Sequence, residues 1–401
     1  MALLSTIMNA LLRKGILVGI LVLVLIGMVE LGLWVFAPVS RYVTYDFNFK
    51  NTMKPYGLAN SSSFSVDTRE VRHRAASDDR DKTVRLLVLG GESNYQPLQD
   101  VDDTWWGRLA IELEKQFPDT GVQIDLKASP AGARPGTGSS MIQTLQWAKT
   151  YAGELNPDIV VVVFGVSEVL DVPPGYQYDP TLVATLSPLP RPSSIKDKAV
   201  SISQIARRLR TWRASISSEV NERKVLLETQ NHFRINMGHQ RSVYETLRFD
   251  ANPPPRGEGQ DPKLEYLDGL RGFHSLAKRL GAEMIALGEP SLHDDILGFA
   301  EMARLKRPRW LKRPTVQDPE GSGVRPDPAW VESELNRYYE AGAKWAAKAD
   351  VPFVNLNRDD VLPKNVENFV DDLMLTQVGS QRVTDEVSPV FASAIKKFLA
   401  N

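Results

Sequence analysis

The chain has no cysteine among its 401 residues. Disulfides, thiolate metal centres and a lipoprotein-type cysteine anchor are therefore excluded, and the redox compartment stays open. Net charge is nearly absent as well: 48 Lys and Arg stand against 49 Asp and Glu, for a formal charge of −1. That balance gives no reason to expect nucleic acid or an acidic polymer as partner. Histidine is scarce. The five, His73, His232, His239, His274 and His293, are scattered without a metal-ligand spacing. Neither a metal nor any other cofactor is indicated.

Apolar residues make up 42% of the chain, ample for a core, and the length allows one large domain or one domain with insertions. The run from Gly15 to Ala37 carries one charge, Glu30, and follows Arg13-Lys14. At 1.5 Å per residue it is long enough to cross a ~30 Å hydrocarbon core. It is too long for the apolar part of a cleavable signal, and no small-x-small site follows it. The expectation is a signal anchor, with residues 1–14 cytoplasmic and 15–37 spanning the membrane. Everything after about residue 40 would then lie outside the cytoplasm, on the periplasmic side in a Gram-negative cell; Arg13 and Lys14 set this orientation and Arg41 opposes it. Glu30 has two readings: a carboxylate near the outer end that reaches the interface or is protonated, or one that faces another membrane helix. Gly19, Gly27 and Glu30 fall with Gly15 on one arc of the helix, a packing face for a membrane-protein partner.

Residues 38–82 are polar, without a long periodic segment, and read as a stalk or wrapping arm. Short apolar runs then alternate with amphipathic stretches. Strands are predicted at 84–90, 122–127, 158–164, 282–288 and 352–356, and helices at about 103–117, 138–154, 262–280, 328–349 and 377–399. The third run is continuously apolar, as in a central parallel strand covered on both faces. Five strands alternating with helices predict a parallel three-layer α/β domain over residues 83–401. Two segments interrupt the rhythm. Residues 175–261 are too long for a connection and carry two charged helical stretches, a helical insertion or cap. Residues 306–328 are rich in Pro and basic side chains, and read as a solvated loop or as a surface for anionic lipid or a partner.

The candidate chemistry begins where the first apolar run, Arg85-Leu86-Leu87-Val88-Leu89, meets Gly90-Gly91-Glu92-Ser93. Open α/β sheets place their sites just past the carboxyl ends of such strands. The tripeptide Gly91-Glu92-Ser93 is not the elbow of ordinary α/β hydrolases. It resembles block I of the SGNH (GDSL-like) hydrolases, and the resemblance continues in order over residues 84–400. Ala128-Ser129-Pro130-Ala131-Gly132 is similar to block II, and Gly165-Val166-Ser167-Glu168 occupies block III. Glu289-Pro290 resembles the Gln-Pro turn of membrane-anchored members. Val370-Asp371-Asp372-Leu373-Met374-Leu375-Thr376-Gln377-Val378-Gly379 is similar to block V, Asp-x-x-His-Leu-Thr-x-x-Gly.

The resemblance implies a flavodoxin-like fold with a five-stranded parallel sheet, and acyl groups of envelope glycans or lipids as the ancestral substrate class. It also implies a role for each matching position. Ser93 stands at the nucleophile, Gly132 at an oxyanion donor and Asp371 at the acid that orients the base. Two positions depart: Ser167 replaces the Asn of the oxyanion hole, and Met374 replaces the catalytic His. A lost oxyanion donor costs on the order of 10²–10³ in rate, whereas a lost base can cost on the order of 10⁶. A thioether has no proton chemistry with which to activate a hydroxyl. His293, just past the Glu289-Pro290 turn, is the candidate substitute base. His232 and His239 belong to the insertion, which could fold over that face. Glu92 and Glu168 read as turn residues with ordinary solvation; Tyr95, Trp105 and Trp106 read as packing or rim aromatics, or as sugar-stacking ones. Two functions stay open: a pseudoenzyme serving as a binding or structural subunit of a membrane or envelope assembly, and a divergent esterase or acyltransferase.

Overall fold

The computed structural model of the chain describes residues 2–36, 43–48, 61–66, 71–77, 82–94, 96, 99–128, 140–170, 178–187, 203–206, 208–209, 249–250, 263–298, 301, 305 and 325–400. Gly132, Tyr95, His232, His239 and residues 306–324 lie outside them, as does most of the 175–261 insertion.

The chain divides into two compact units, Met1–Tyr45 with Pro192–Asn221, and Asp46–Arg191 with Glu222–Asn401. The smaller unit is built on helix α1, Ala2–Phe36. This helix continues through residues 2–14, so the N-terminal stretch is an extension of the apolar run. The window Ile16–Leu33 has a mean hydropathy of 2.8 and is long and apolar enough to cross a membrane. Its large side chains are exposed, Leu17 and Leu23 at 69% each, as lipid-facing residues are and core residues are not.

In the larger unit six strands form one sheet. They are β3 (Arg72–Arg74), β4 (Lys82–Gly90), β5 (Thr120–Ala128), β6 (Ile159–Phe164), β8 (Glu283–Gly288) and β10 (Phe353–Asn355). The remaining short strands are β1 (Val43–Asn48), β2 (Ser61–Val66), β7 (Phe249–Asp250) and β9 (Arg325–Pro326). The sheet order is β10-β8-β6-β4-β5-β3. Its five sequence-predicted strands run parallel in the order second, first, third, fourth, fifth. That is the flavodoxin-like order, with a switch point between β4 and β6. One correction to the five-stranded expectation is the antiparallel edge strand β3, which pairs with β5 and comes from the segment read as a stalk. Arg74 in β3 is tied to Glu114 at 3.1 Å and to Asp102 at 3.1 Å. These charged partners hold a strand too short and polar to announce itself by pattern.

Alternation along the strands builds the two outer layers. Leu87, Leu89, Val160, Val162, Phe164 and Ala286 face helices α3 (Ser140–Leu155), α6 (Lys263–Leu280) and α7 (Pro328–Ala349), with the short helices α4 (Val166–Leu170) and α5 (Leu182–Thr185) between α3 and α6 in the chain. Val84, Leu86, Val88, Val161, Val163 and Ile285 face α2 (Trp105–Gln116) and α8 (Gln377–Ala400). Local signals fix the helix ends. Thr104 caps α2 by accepting the Gly107 N–H at 3.1 Å, and Asp327 caps α7 by accepting that of Ala329 at 2.9 Å, with Pro328 at the first helical position. The carboxyl ends of β4, β6 and β8 therefore line up on one edge, just where Ser93, Ser167 and Glu289 begin.

Candidate active site

Strand β4 ends at Gly90, and Glu92–Asn94 form a single 3₁₀ turn. Gly91 is required by close approach. A Cβ there would stand 2.7 Å from Glu289 Oε1 and 2.9 Å from Ser167 Oγ. Blocks I and III and the Glu-Pro turn thus converge on one backbone atom.

Ser93 is buried, 4% exposed, and its hydroxyl donates to Oε1 of Glu289, which is wholly buried. The same hydroxyl oxygen accepts from Asn94 Nδ2 at 3.1 Å. The other carboxylate oxygen of Glu289 accepts the Val166 N–H at 3.0 Å. Asn94 is itself held by the indole N–H groups of Trp105 at 3.2 Å and Trp106 at 3.3 Å. Both tryptophans are buried, which selects packing over a rim or sugar-stacking role.

The loop carrying Glu289 is fixed along its length. Tyr339 donates its hydroxyl to the Glu289 carbonyl at 2.8 Å. Gly165, at φ +149°, permits this: a Cβ would overlap the Tyr339 ring. Burial, with Glu289 nearby, raises the Tyr339 phenol well above its ordinary range. Further along, the Ser291 N–H donates to Asn357 at 3.0 Å and its carbonyl accepts from Lys364 at 2.6 Å. Burial lowers the Lys364 ammonium to about 8, while Asp359, Glu332 and Asp294 pull it upward.

Glu168 departs from the expectation of ordinary solvation. It is 3% exposed, and accepts from Ser140 Oγ and the Met141 N–H at 3.0 Å each and from the Gly165 N–H at 2.9 Å. It therefore caps the start of α3 and clamps the block III turn. Burial raises its pKa to about 7, against hydrogen bonds from Met141 and Ser140 that lower it.

The remaining candidates are placed as follows. Asp371 Oδ1 accepts the N–H groups of Leu373 at 3.0 Å and Met374 at 2.6 Å, so its carboxylate caps its own turn. Met374 is half-buried. Nδ1 of His293 shares a hydrogen bond with Ser291 Oγ at 2.6 Å. The Leu292 N–H donates to the Asp372 carbonyl at 2.9 Å, which joins the His293 loop to block V. Beside that loop, one carboxylate oxygen from each of Asp294, Asp295 and Glu332 lies within 4.8 Å of the others. These acids are the kind of oxygen ligands that hard cations take, but their grouping alone assigns no ion. A separate groove of about 830 Å³ at the opposite end of β8 is lined by His274, Lys278, Glu283 and Lys397.

Sequence reasoning missed Glu289 and Asn94. For Glu289 a signal was present, an acid where the resembling family has Gln before Pro. Chemically, a serine has one O–H to donate, and here it goes to a carboxylate. An unperturbed carboxyl is roughly two pKa units less basic than an imidazole.

A scan against models of protein families finds no match, and no curated protein matches the chain. Solved structures do superpose on it. A mutant acetyl-xylooligosaccharide esterase from Geobacillus is 12% identical, with 77% of this chain and 93% of that one covered and a TM-score of 0.37. A GDSL-like lipase from Bacteroides thetaiotaomicron is 12% identical, covering 78% and 88%, with a TM-score of 0.32. An extracellular lipase from Streptomyces rimosus is 10% identical, covering 78% and 99%, with a TM-score of 0.28. These overlays assign no residue; the architecture is read from the strand order and the place of Ser93 past the first parallel strand. The fold is flavodoxin-like, as the resemblance to SGNH hydrolases implies. On that sheet, Ser93, Ser167 and Glu289 share the strand ends, and Asp371 and His293 sit on two loops that touch.

Proposed function

We propose that this is a membrane-anchored SGNH-hydrolase-like protein with an impaired ester-cleaving site. It serves as a binding or structural subunit of a membrane or envelope assembly, with the α/β domain outside the cytoplasm. The observation that carries this reading is the Ser93–Glu289 contact. The single hydroxyl proton goes to a carboxylate that already receives the Val166 N–H, and a thioether stands at the family's base position. Such a serine works as a tie between the ends of β4 and β8, and it lacks the imidazole that ordinarily takes a serine's proton.

The same contact favours a second reading, an esterase or acyltransferase in which Glu289 takes the Ser93 proton. Full-length protein in detergent micelles, assayed on short acyl esters and an acetylated glycan between pH 5 and 9, separates the two. The first reading expects no turnover above background and no difference from Ser93→Ala. Turnover that vanishes in both Ser93→Ala and Glu289→Gln would overturn it and establish the second.

A further inference from the structure

The smaller unit contains a contact that the Ser93 site does not use. Glu30, two turns before the end of α1, accepts from the Ser203 hydroxyl at 3.1 Å, the Ile205 N–H at 3.2 Å and the Gln204 N–H. Ser203 in turn accepts the Ala206 N–H at 3.1 Å. It is the N-cap of a helical start over residues 204–206 and 208–209. Glu30 therefore satisfies the open N–H groups of that start, with the charge that a helix N-terminus favours. A carboxylate on a membrane helix is expensive unless it is paired, and this one is paired within its own chain.

The pairing fixes where the insertion meets the membrane helix. Glu30 lies three residues before Leu33, where the most apolar window of α1 ends, or about 4.5 Å along the axis, in the outer turn of the apolar run. Just past the clasp, Leu209 is 55% exposed beside an exposed Arg208. The sequence there interleaves Arg207, Arg208, Arg210 and Arg213 with Ile205, Leu209 and Trp212. Basic and apolar residues mixed in this way suit the boundary between head groups and acyl chains, and each arginine near an anionic surface adds attraction.

We propose that the start of the insertion, residues 203–206 and 208–209, is seated on the membrane surface. Glu30 pins it there, with Arg208 engaging anionic phospholipid head groups and Leu209 the acyl boundary beneath them. Glu30 is an internal clasp between the anchor and the insertion. The inference is independent of whether Ser93 is active.

The absence of cysteine makes the test clean. Full-length Leu209→Cys carrying an environment-sensitive fluorophore is reconstituted into phosphatidylglycerol–phosphatidylcholine vesicles and into phosphatidylcholine vesicles. The expected result is a blue shift, with quenching by lipids spin-labelled near the head group, stronger in the anionic vesicles. Arg208→Gln should lose that excess, and Glu30→Ala should return the emission to its value in water. Water-like emission in both vesicle types overturns the proposal. Equal quenching in both removes the anionic surface as the partner, and quenching indifferent to Glu30→Ala removes the clasp. The reading at position 209 with Glu30 intact decides the seat on the membrane even where Glu30→Ala fails to fold.

Discussion

The hydroxyl of Ser93 donates to the carboxylate of Glu289 across 196 residues of sequence. The contact ties the turn after β4 to the turn after β8, on the edge where open α/β sheets place their sites. Because Glu289 is wholly buried and receives the Val166 N–H as well, the pair is a structural joint whatever else it does.

Removing the acceptor should therefore cost stability. Glu289→Ala leaves the Ser93 O–H and the Val166 N–H without their acceptor, at about 1–3 kcal/mol for each buried group. Glu289→Gln keeps one acceptor oxygen and should lose less. Urea denaturation followed by tryptophan fluorescence, with Trp105 and Trp106 three hydrogen bonds away, measures the difference. Unchanged midpoints for Glu289→Ala would mean that the joint bears no load.

Glu168 predicts a pH dependence of definite sign. Its folded pKa, raised by burial to about 7 from 4.5, means that the folded state holds the proton more tightly than the unfolded chain. The resulting stability is fully present below about pH 4.5 and is lost as pH rises through about 7, by roughly 3 kcal/mol. Glu168→Gln, which stays neutral, should flatten this part of the profile. A wild-type slope that survives the substitution would point to another group.

Gly165→Ala should be severe. The residue's φ of +149° disfavours any side chain, and the added methyl would displace Tyr339 from the Glu289 carbonyl. Backbone strain alone costs about 1–3 kcal/mol, and the overlap adds to it. A thermal midpoint within a degree of the parent would contradict the geometry around Tyr339.

Met374→His restores the imidazole of the resembling family. No ester turnover is expected from it, because the Ser93 O–H stays hydrogen-bonded to Glu289 and Asp371 already accepts from Leu373 and Met374. Recovery of hydrolysis by this one change would show that the site lacks only its base.

The central strands and the helices around them were legible because burial leaves period-2 and period-3.6 patterns. Predicted and observed bounds agree within about two residues, and the α7 range of 328–349 is the same in both. Strand β3 was not legible: it is three residues long, RHR, and owes its place to Asp102 and Glu114. Glu289 and Glu168 read as turn acids because nothing in a single sequence reports that a carboxylate is sealed from water. The partner of Glu30 was hidden for a related reason. Ser203 is 173 residues away, and a hydrogen bond at that separation leaves no local periodicity.

Strands β6 and β8 are direct neighbours, in register from Ile159↔Glu283 to Phe164↔Gly288. Their crossover includes α6, which packs against both strands; the long stretch between Leu170 and Lys263 comes before it in the chain. Closing a longer loop costs only logarithmically more entropy, so the sheet is nearly indifferent to the length of that excursion. In evolutionary terms it is a cassette. Its length can change without resetting the register of β6 with β8, so selection can remodel it while the Ser93 site drifts at its own pace.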